Sequence, residues 1–169
     1  MTATQLLVGM AEIHTQKGAG VFTCLGLGSC IGLCALDPTT NVAGMVHIML
    51  PEMFAGRTDE KPGKFANTGV PALIQALESM GAVRSRLVIA MAGGAQVFKF
   101  GSGTGGSKLD IGARNQEAVE AQIKALGLRC LGTDVGGNVG RTMTLFADTG
   151  EVRVRTVSQA ERVLCKLRG

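Results

Sequence analysis

The sequence has no tryptophan and no tyrosine, and its only aromatics other than histidine are six phenylalanines. A core without large rings must be filled by Val, Leu, Ile, Met and Ala, and an apolar content of 46% is enough to fill it. Neither sign of charge is in large excess: 17 Lys and Arg stand against 13 Asp and Glu, a formal net charge of +4. The basic residues are dispersed and no Lys/Arg run is interleaved with aromatics, so the sequence does not read as a nucleic-acid binder. No apolar run is long enough to cross a bilayer, and residues 1–10 lack the basic start and apolar centre of a secretory signal. The expected protein is therefore cytoplasmic and not membrane-embedded. Its five cysteines, an odd number without the spacing of a disulfide framework, read as reduced thiols. A length of 169 residues, with no repeat and no boundary, suits one domain over 1–169.

Glycine is abundant instead, at 25 residues, which implies tight turns and close backbone contacts. The chain is organised around residues 23–51. An apolar run from Val21 to Leu27 enters a Gly28-Ser29 corner, with Cys30 just past it. A second apolar run from Val42 to Leu50 carries His47, one of only two histidines; the other, His14, lies in a polar segment. A thiol at a glycine corner and an imidazole on a nearby strand are the two parts of a nucleophilic pair, in which the base takes the thiol proton and the thiolate attacks. Glycines 26, 28 and 32 let a substrate approach the backbone and free amide N–H groups for an oxyanion. Plainer readings stand beside this one. A cysteine in an apolar run is often a small buried hydrophobe, and a histidine in a strand is often a satisfied core residue. A zinc site from Cys24, Cys30, Cys34 and His47 would need the spacing Cys-x5-Cys-x3-Cys-x12-His, which matches no common finger.

Apolar periodicity sets out the remaining elements. Gln5 to Ile13 reads as a first strand, residues 16–20 as a turn and Val21 to Leu27 as a second strand. The period over Cys30 to Leu36 fits either a strand or a short helix. As a helix it would place Cys30 in the first turn after a Ser29 cap, where the macrodipole favours thiolate. Pro51 to Gly63 is a polar loop. Val70, Leu73, Ile74, Leu77 and Met80 recur at helical spacing over about residues 65–80, and Gly81 is a natural stop. Arg86 to Ala92 is a strand buried on both faces. Gly112 to Leu126 is a second helix with Ala118, Val119, Gln122, Ile123 and Leu126 inside, closed by Gly127. Leu128 to Val135 is a strand. Arg141 to Ala147 and Glu151 to Val157 form a hairpin about Asp148-Thr149-Gly150. Residues 158–169 read as a basic, partly helical tail. The mixture of hairpin-linked and helix-separated strands points to a mixed α/β or α+β domain.

Gly101, Gly103 and Gly106 fit the dinucleotide pattern G-x-G-x-x-G, but Ser107 to Asp110 intervene before any helix. The phosphate-loop order fails as well, because Ser107 precedes Lys108. A surface loop is the reading that remains. Beside it, Phe98 and Phe100 are either an exposed partner contact or core strand residues.

Leu25-Gly26-Leu27-Gly28-Ser29-Cys30, then Asp37-Pro38, then Met45-Val46-His47-Ile48-Met49-Leu50-Pro51, resembles the chemoreceptor glutamine deamidase family, CheD. The likeness continues at Gly93-Gly94-Ala95, at Ile111-Gly112-Ala113-Arg114-Asn115, and from Asp134 through Gly136-Gly137-Asn138 to Gly140-Arg141, covering about residues 6–157.

The resemblance implies a sandwich of two mixed β-sheets flanked by helices, similar to the bacterial toxin deamidases. It implies hydrolysis of a protein Gln side chain to Glu with release of ammonia, without metal or cofactor. Cys30 would attack the carboxamide, backbone N–H groups of Gly28-Ser29-Cys30 would hold the oxyanion, and His47 would move the protons. The substrates implied are cytoplasmic helices of methyl-accepting chemotaxis proteins, and the phosphatase CheC is implied as a regulator. In the family a threonine six residues before the nucleophile orients the histidine; here that position is Cys24, with Thr23 one residue earlier. Adjacent strand residues face opposite ways, so Thr23 serves only if a bulge shifts the register. Otherwise Cys24 or a backbone carbonyl holds the ring. The changed third position also leaves a non-catalytic adaptor, binding chemoreceptors or CheC, as the rival function.

Overall fold

A computed structural model describes residues 3–52, 61–96 and 110–168. Two five-stranded sheets lie face to face, and two helices cover the outer face of the second. The strands are β1 (Thr4–Leu7), β2 (Ile13–Lys17), β3 (Gly20–Leu27), β4 (Ile31–Asp37), β5 (Val42–Ile48), β6 (Val88–Gly93), β7 (Arg129–Val135), β8 (Arg141–Phe146), β9 (Glu151–Thr156) and β10 (Arg162–Lys166). The helices are α1 (Ala66–Ser79) and α2 (Ile111–Ala125). The first sheet runs β1-β3-β8-β9-β10 and the second β2-β5-β4-β6-β7. Each is mixed, with β1 parallel to β3 and β6 parallel to β7. This is the mixed α+β sandwich that the resemblance implies.

Side-chain alternation in the second sheet builds two cores. Cys34 and Leu36 on β4, Ala43 and Met45 on β5, and Val88, Ala90 and Ala92 on β6 face the first sheet, where Phe22, Cys24, Leu27, Met143, Leu145 and Val152 meet them. Their neighbours Ile31, Leu33, Ala35, Val42, Val46, Ile48, Ile89 and Met91 face the helices, against Val70, Leu73, Ile74, Leu77 and Val119. Every residue of β4 and β5 is buried, which accounts for their lack of a two-residue polar period. Small side chains between the sheets do the work that aromatics do in other sandwiches. Cutting a fully buried Leu of this kind to Ala costs about 2–5 kcal/mol.

Three segments differ from the sequence expectations, and the open choice between strand and helix after Cys30 is resolved. Gln5 to Ile13 is not one strand: β1 ends at Leu7 and β2 begins at Ile13, in different sheets. The intended turn at 16–20 is correspondingly shorter, since β2 runs through Lys17. The segment whose period fits either strand or helix is the strand Ile31–Asp37, with Cys30 in the bend just before it, so Cys30 has no helix N-terminus beside it. The tail contains β10, which pairs antiparallel with β9 through Arg162↔Val154 and Lys166↔Glu151; its backbone groups are satisfied by the open edge of β9, not by a helical turn. Phe98, Phe100 and the Gly101–Lys108 stretch lie outside the described residues.

Candidate active site

The end of the sandwich where β3 turns into β4 gathers the chemistry. Gly32 on β4 lies directly opposite His47 on β5. His47 shares the face of Ala43 and Met45, so its ring enters the space between the sheets. A Cβ on Gly32 would stand 2.9 Å from Met143 Cε, 3.1 Å from Leu27 Cδ1 and 3.2 Å from Cys24 Sγ, so this layer has no room for a second side chain. Cys30, two residues before Gly32, packs half-buried against the same inter-sheet cluster. Cys30 immediately precedes β4, whose first pair with β5 is Ile31↔Ile48, so the thiol and the imidazole both belong to this end of the inter-sheet layer.

His47 is 4% exposed, and its Nδ1 is 3.1 Å from the Val8 carbonyl oxygen. A carbonyl only accepts, so Nδ1 carries the proton and Nε2 presents its lone pair. Burial pulls the His47 pKa below 6.5, opposed by the Val8 hydrogen bond and the Glu12 carboxylate. Burial also pushes the Cys30 thiol up from 9.0. Both shifts favour the uncharged forms, thiol and neutral imidazole. Without a helix at residues 30–36, the dipole assistance considered for Cys30 is absent.

Thr23 and Cys24 part on opposite faces of β3. Cys24 is fully buried between the sheets and its thiol is raised by burial and by Cys30. Thr23 pairs with Thr144 on the outer face, and the bulge in this pairing falls after Cys24, too late to turn Thr23 inward. The Thr23 side chain does not reach the His47 face. Its main chain does take part, because the Thr23 carbonyl accepts the Val8 N–H at 2.8 Å. Among the described residues no three His, Cys, Asp or Glu side chains converge as a metal-ligand set.

The corner is held by close backbone packing. Gly28 and Cys30 carbonyls accept N–H bonds from Ala95 and Gly94, at 2.8 and 2.9 Å. A Cβ on Gly93 would lie 2.1 Å from the Cys30 oxygen, and one on Gly112 would lie 2.5 Å from the Ala95 oxygen. The Gly93-Gly94-Ala95 and Ile111-Gly112 motifs thus let α2, β6 and the Cys30 corner stack main chain on main chain. From the other side, the buried Arg141 donates to the Asp134 side chain and carbonyl, both at 2.7 Å, to Val139 O at 3.1 Å, and to Gly136 O. That fixes the 136–139 turn, which is tied to Gly93 and Gln96 by Gly136 N–H and Gly137 O.

Two contributors escaped the sequence reading. The Val8 carbonyl leaves no side-chain signature at all. Asn115 does leave one: it sits four residues before Val119 on the inward stripe of α2, a polar side chain where an apolar one is expected. It is fully buried, and its Nδ2 donates to Ser29 O at 2.8 Å and Met49 O at 2.9 Å. A cleft of about 630 Å³ opens alongside, between Leu50–Glu52 and the Ile111, Arg114 and Ala118 face of α2.

A family model described as CheD chemotactic sensory transduction matches residues 49–156. Over 159 residues the chain is 44% identical to a probable chemoreceptor glutamine deamidase CheD of Symbiobacterium thermophilum, covering 93% of this chain and 95% of that one. It is 43% identical to the corresponding protein of Desulfitobacterium hafniense over 157 residues, 93% of this chain and 96% of the other. Against the chemoreceptor glutamine deamidase CheD of Thermotoga maritima the identity is 41% over 160 residues, 95% of this chain and 97% of that one.

Proposed function

The chain belongs to the CheD family of chemoreceptor glutamine deamidases, and on that premise we propose that Cys30 and His47 hydrolyse receptor glutamine side chains by way of a thioester. The protein is a protein-glutamine amidohydrolase serving chemotaxis. The observation that supports the mechanism is the His47 ring at the Cys30 end of the inter-sheet layer, with Nδ1 committed to Val8 and Nε2 left to act.

The steps follow from that geometry. Nε2 of His47 takes the Cys30 proton as sulfur attacks the carboxamide carbon. Backbone N–H groups of the Gly28-Ser29-Cys30 corner hold the oxyanion. His47 returns the proton to the departing nitrogen, and ammonia leaves a thioester. Water, deprotonated by the same nitrogen, then attacks the acyl carbon; the C–S bond breaks, and glutamate and the free thiol are released. The atoms balance as one amide plus one water giving one carboxylate and ammonium, with no metal or cofactor required.

The substrate segments in this reading are cytoplasmic helices of methyl-accepting chemotaxis proteins, and the protein works in the cytoplasm. No helix among the described residues is long and apolar enough to cross a membrane. Exposed Leu7, Met10, Leu25 and Val139 border the catalytic end and offer apolar contact to a receptor helix. CheC is the regulator in this reading; the partner contact assigned to Phe98 and Phe100 lies outside the described residues.

The test is incubation with receptor cytoplasmic fragments, following ammonia release and the Gln-to-Glu mass change. Activity is expected in the parent and absent in Cys30→Ala. Deamidation that persists in Cys30→Ala overturns the nucleophile. Receptor binding by a parent protein that releases no ammonia supports the adaptor role instead.

A further inference from the structure

Asn115 lies on α2, yet both N–H groups of its side chain leave the helix and bind the two segments that carry Cys30 and His47. One goes to the carbonyl of Ser29, the residue before Cys30, and the other to the carbonyl of Met49, two residues after His47. Both partners are acceptors only, so the orientation of the amide is set. Its Oδ1 is then buried without a hydrogen-bond partner among the described residues. A residue that only filled space on this apolar stripe would not carry an unpaired oxygen.

The Ser29 contact has a directional consequence. The described chain has no cis peptide, so in the planar Ser29–Cys30 unit the Cys30 N–H points opposite to the Ser29 carbonyl. Holding that carbonyl on α2 turns the Cys30 N–H away from α2. This N–H meets no acceptor among the described residues. Gly94, opposite Cys30, donates its own N–H to the Cys30 oxygen but returns no bond, because its carbonyl faces Gly112 on α2. A fixed, unspent amide on the nucleophile's own residue is the donor that an oxyanion needs.

We propose that Asn115 is a positioning residue that holds the Ser29–Cys30 peptide against the end of the His47 strand and so aims the Cys30 N–H at the oxyanion of the deamidation intermediate. The proposal rests on the Cys30/His47 reading above. It adds a residue that never touches substrate.

The test uses the full chain, Asn115→Ala and Asn115→Ser, each compared per folded molecule by circular dichroism and melting. Deamidation kcat is expected to fall about 10–100-fold, with KM within about 3-fold of the parent. Alkylation of Cys30 by iodoacetamide forms no oxyanion, so its rate is expected to stay within about 3-fold. An unchanged kcat overturns the proposal, and so does alkylation that falls together with kcat. Should neither variant fold, the parent decides by NMR: a glutamine-derived peptide aldehyde, added to form a hemithioacetal on Cys30, is expected to move the Cys30 amide proton downfield. An unmoved resonance overturns the proposal. If Cys30→Ala keeps its activity, the catalytic reading itself has failed, whatever Asn115 does.

Discussion

His47 Nδ1 and the main-chain oxygen of Val8 stand 3.1 Å apart, and Val8 is in turn held by the carbonyl of Thr23. The imidazole is oriented by two successive backbone links in place of a side-chain acceptor. Such an arrangement is insensitive to the side chains it passes through, provided the β1–β3 pairing keeps its register.

Thr23→Val should therefore change kcat by less than about 3-fold, since the hydroxyl faces away from His47 and the carbonyl is unaltered. Steady-state ammonia release with a receptor fragment measures this. A loss as deep as that of Cys30→Ala would mean that the Thr23 side chain reaches the ring during turnover.

The pH dependence follows from the two buried groups. Neutral His47 is the base, and burial lowers its pKa, so kcat/KM should hold as pH drops to 6.5 and fall only below it. Burial raises the Cys30 thiol, so alkylation of the free enzyme by iodoacetamide should climb with pH through 9.0 and beyond. Glu12→Gln removes a carboxylate that favours the imidazolium, and should move the acid limb further down. A fast alkylation plateau near about pH 5 would instead reveal a resting thiolate–imidazolium pair.

Gly93→Ala tests the packing behind the corner. The added Cβ would meet the Cys30 oxygen at 2.1 Å, on a residue whose φ is +116°. Overpacking and backbone strain together should cost about 2–5 kcal/mol in chemical denaturation and abolish deamidation in the folded fraction. Gly26→Ala at φ +59°, with open space around its Cβ, should cost only about 1–2 kcal/mol.

Asp37 supplies an acid-sensitive contribution to stability away from the site. Burial alone would raise its pKa, but the Arg86 guanidinium and the N–H groups of Val83, Thr39 and Thr40 outweigh it and hold the carboxyl down to about 2. A depressed carboxylate stabilises the fold above its unfolded value of 3.8 and loses that stabilisation as pH falls toward about 2. Asp37→Asn should lower stability at neutral pH by on the order of 2 kcal/mol and flatten the stability curve between those values. An Asn variant with the parent's acid profile would remove Asp37 from the account.

The elements with a one-sided period were legible. Both helices fall where Val70 to Leu77 and Ala118 to Leu126 recur, and the β8–β9 hairpin falls about Asp148-Thr149-Gly150. Of the segments buried on both faces, Val42–Ile48 and Val88–Gly93 were legible as strands, but the run after Cys30 was not, because a fully apolar stretch such as Ile31 to Leu36 carries no period to separate strand from helix. The tail failed for another reason: the partner of β10 is β9, and a pairing with an open sheet edge is a property of the assembled fold. The glycines around Cys30 were visible in the sequence, but which of them face main chain was not.

Residue types alone determined which atoms can do chemistry here: a chain with two histidines offers few bases, and a cysteine at a glycine corner stands out against the apolar background. The tertiary structure decided what holds those atoms in place. Val8, Asn115 and Arg141 act on backbone carbonyls from distant parts of the chain. A carbonyl is the same at every position in a sequence, so only the folded arrangement selects the ones that matter.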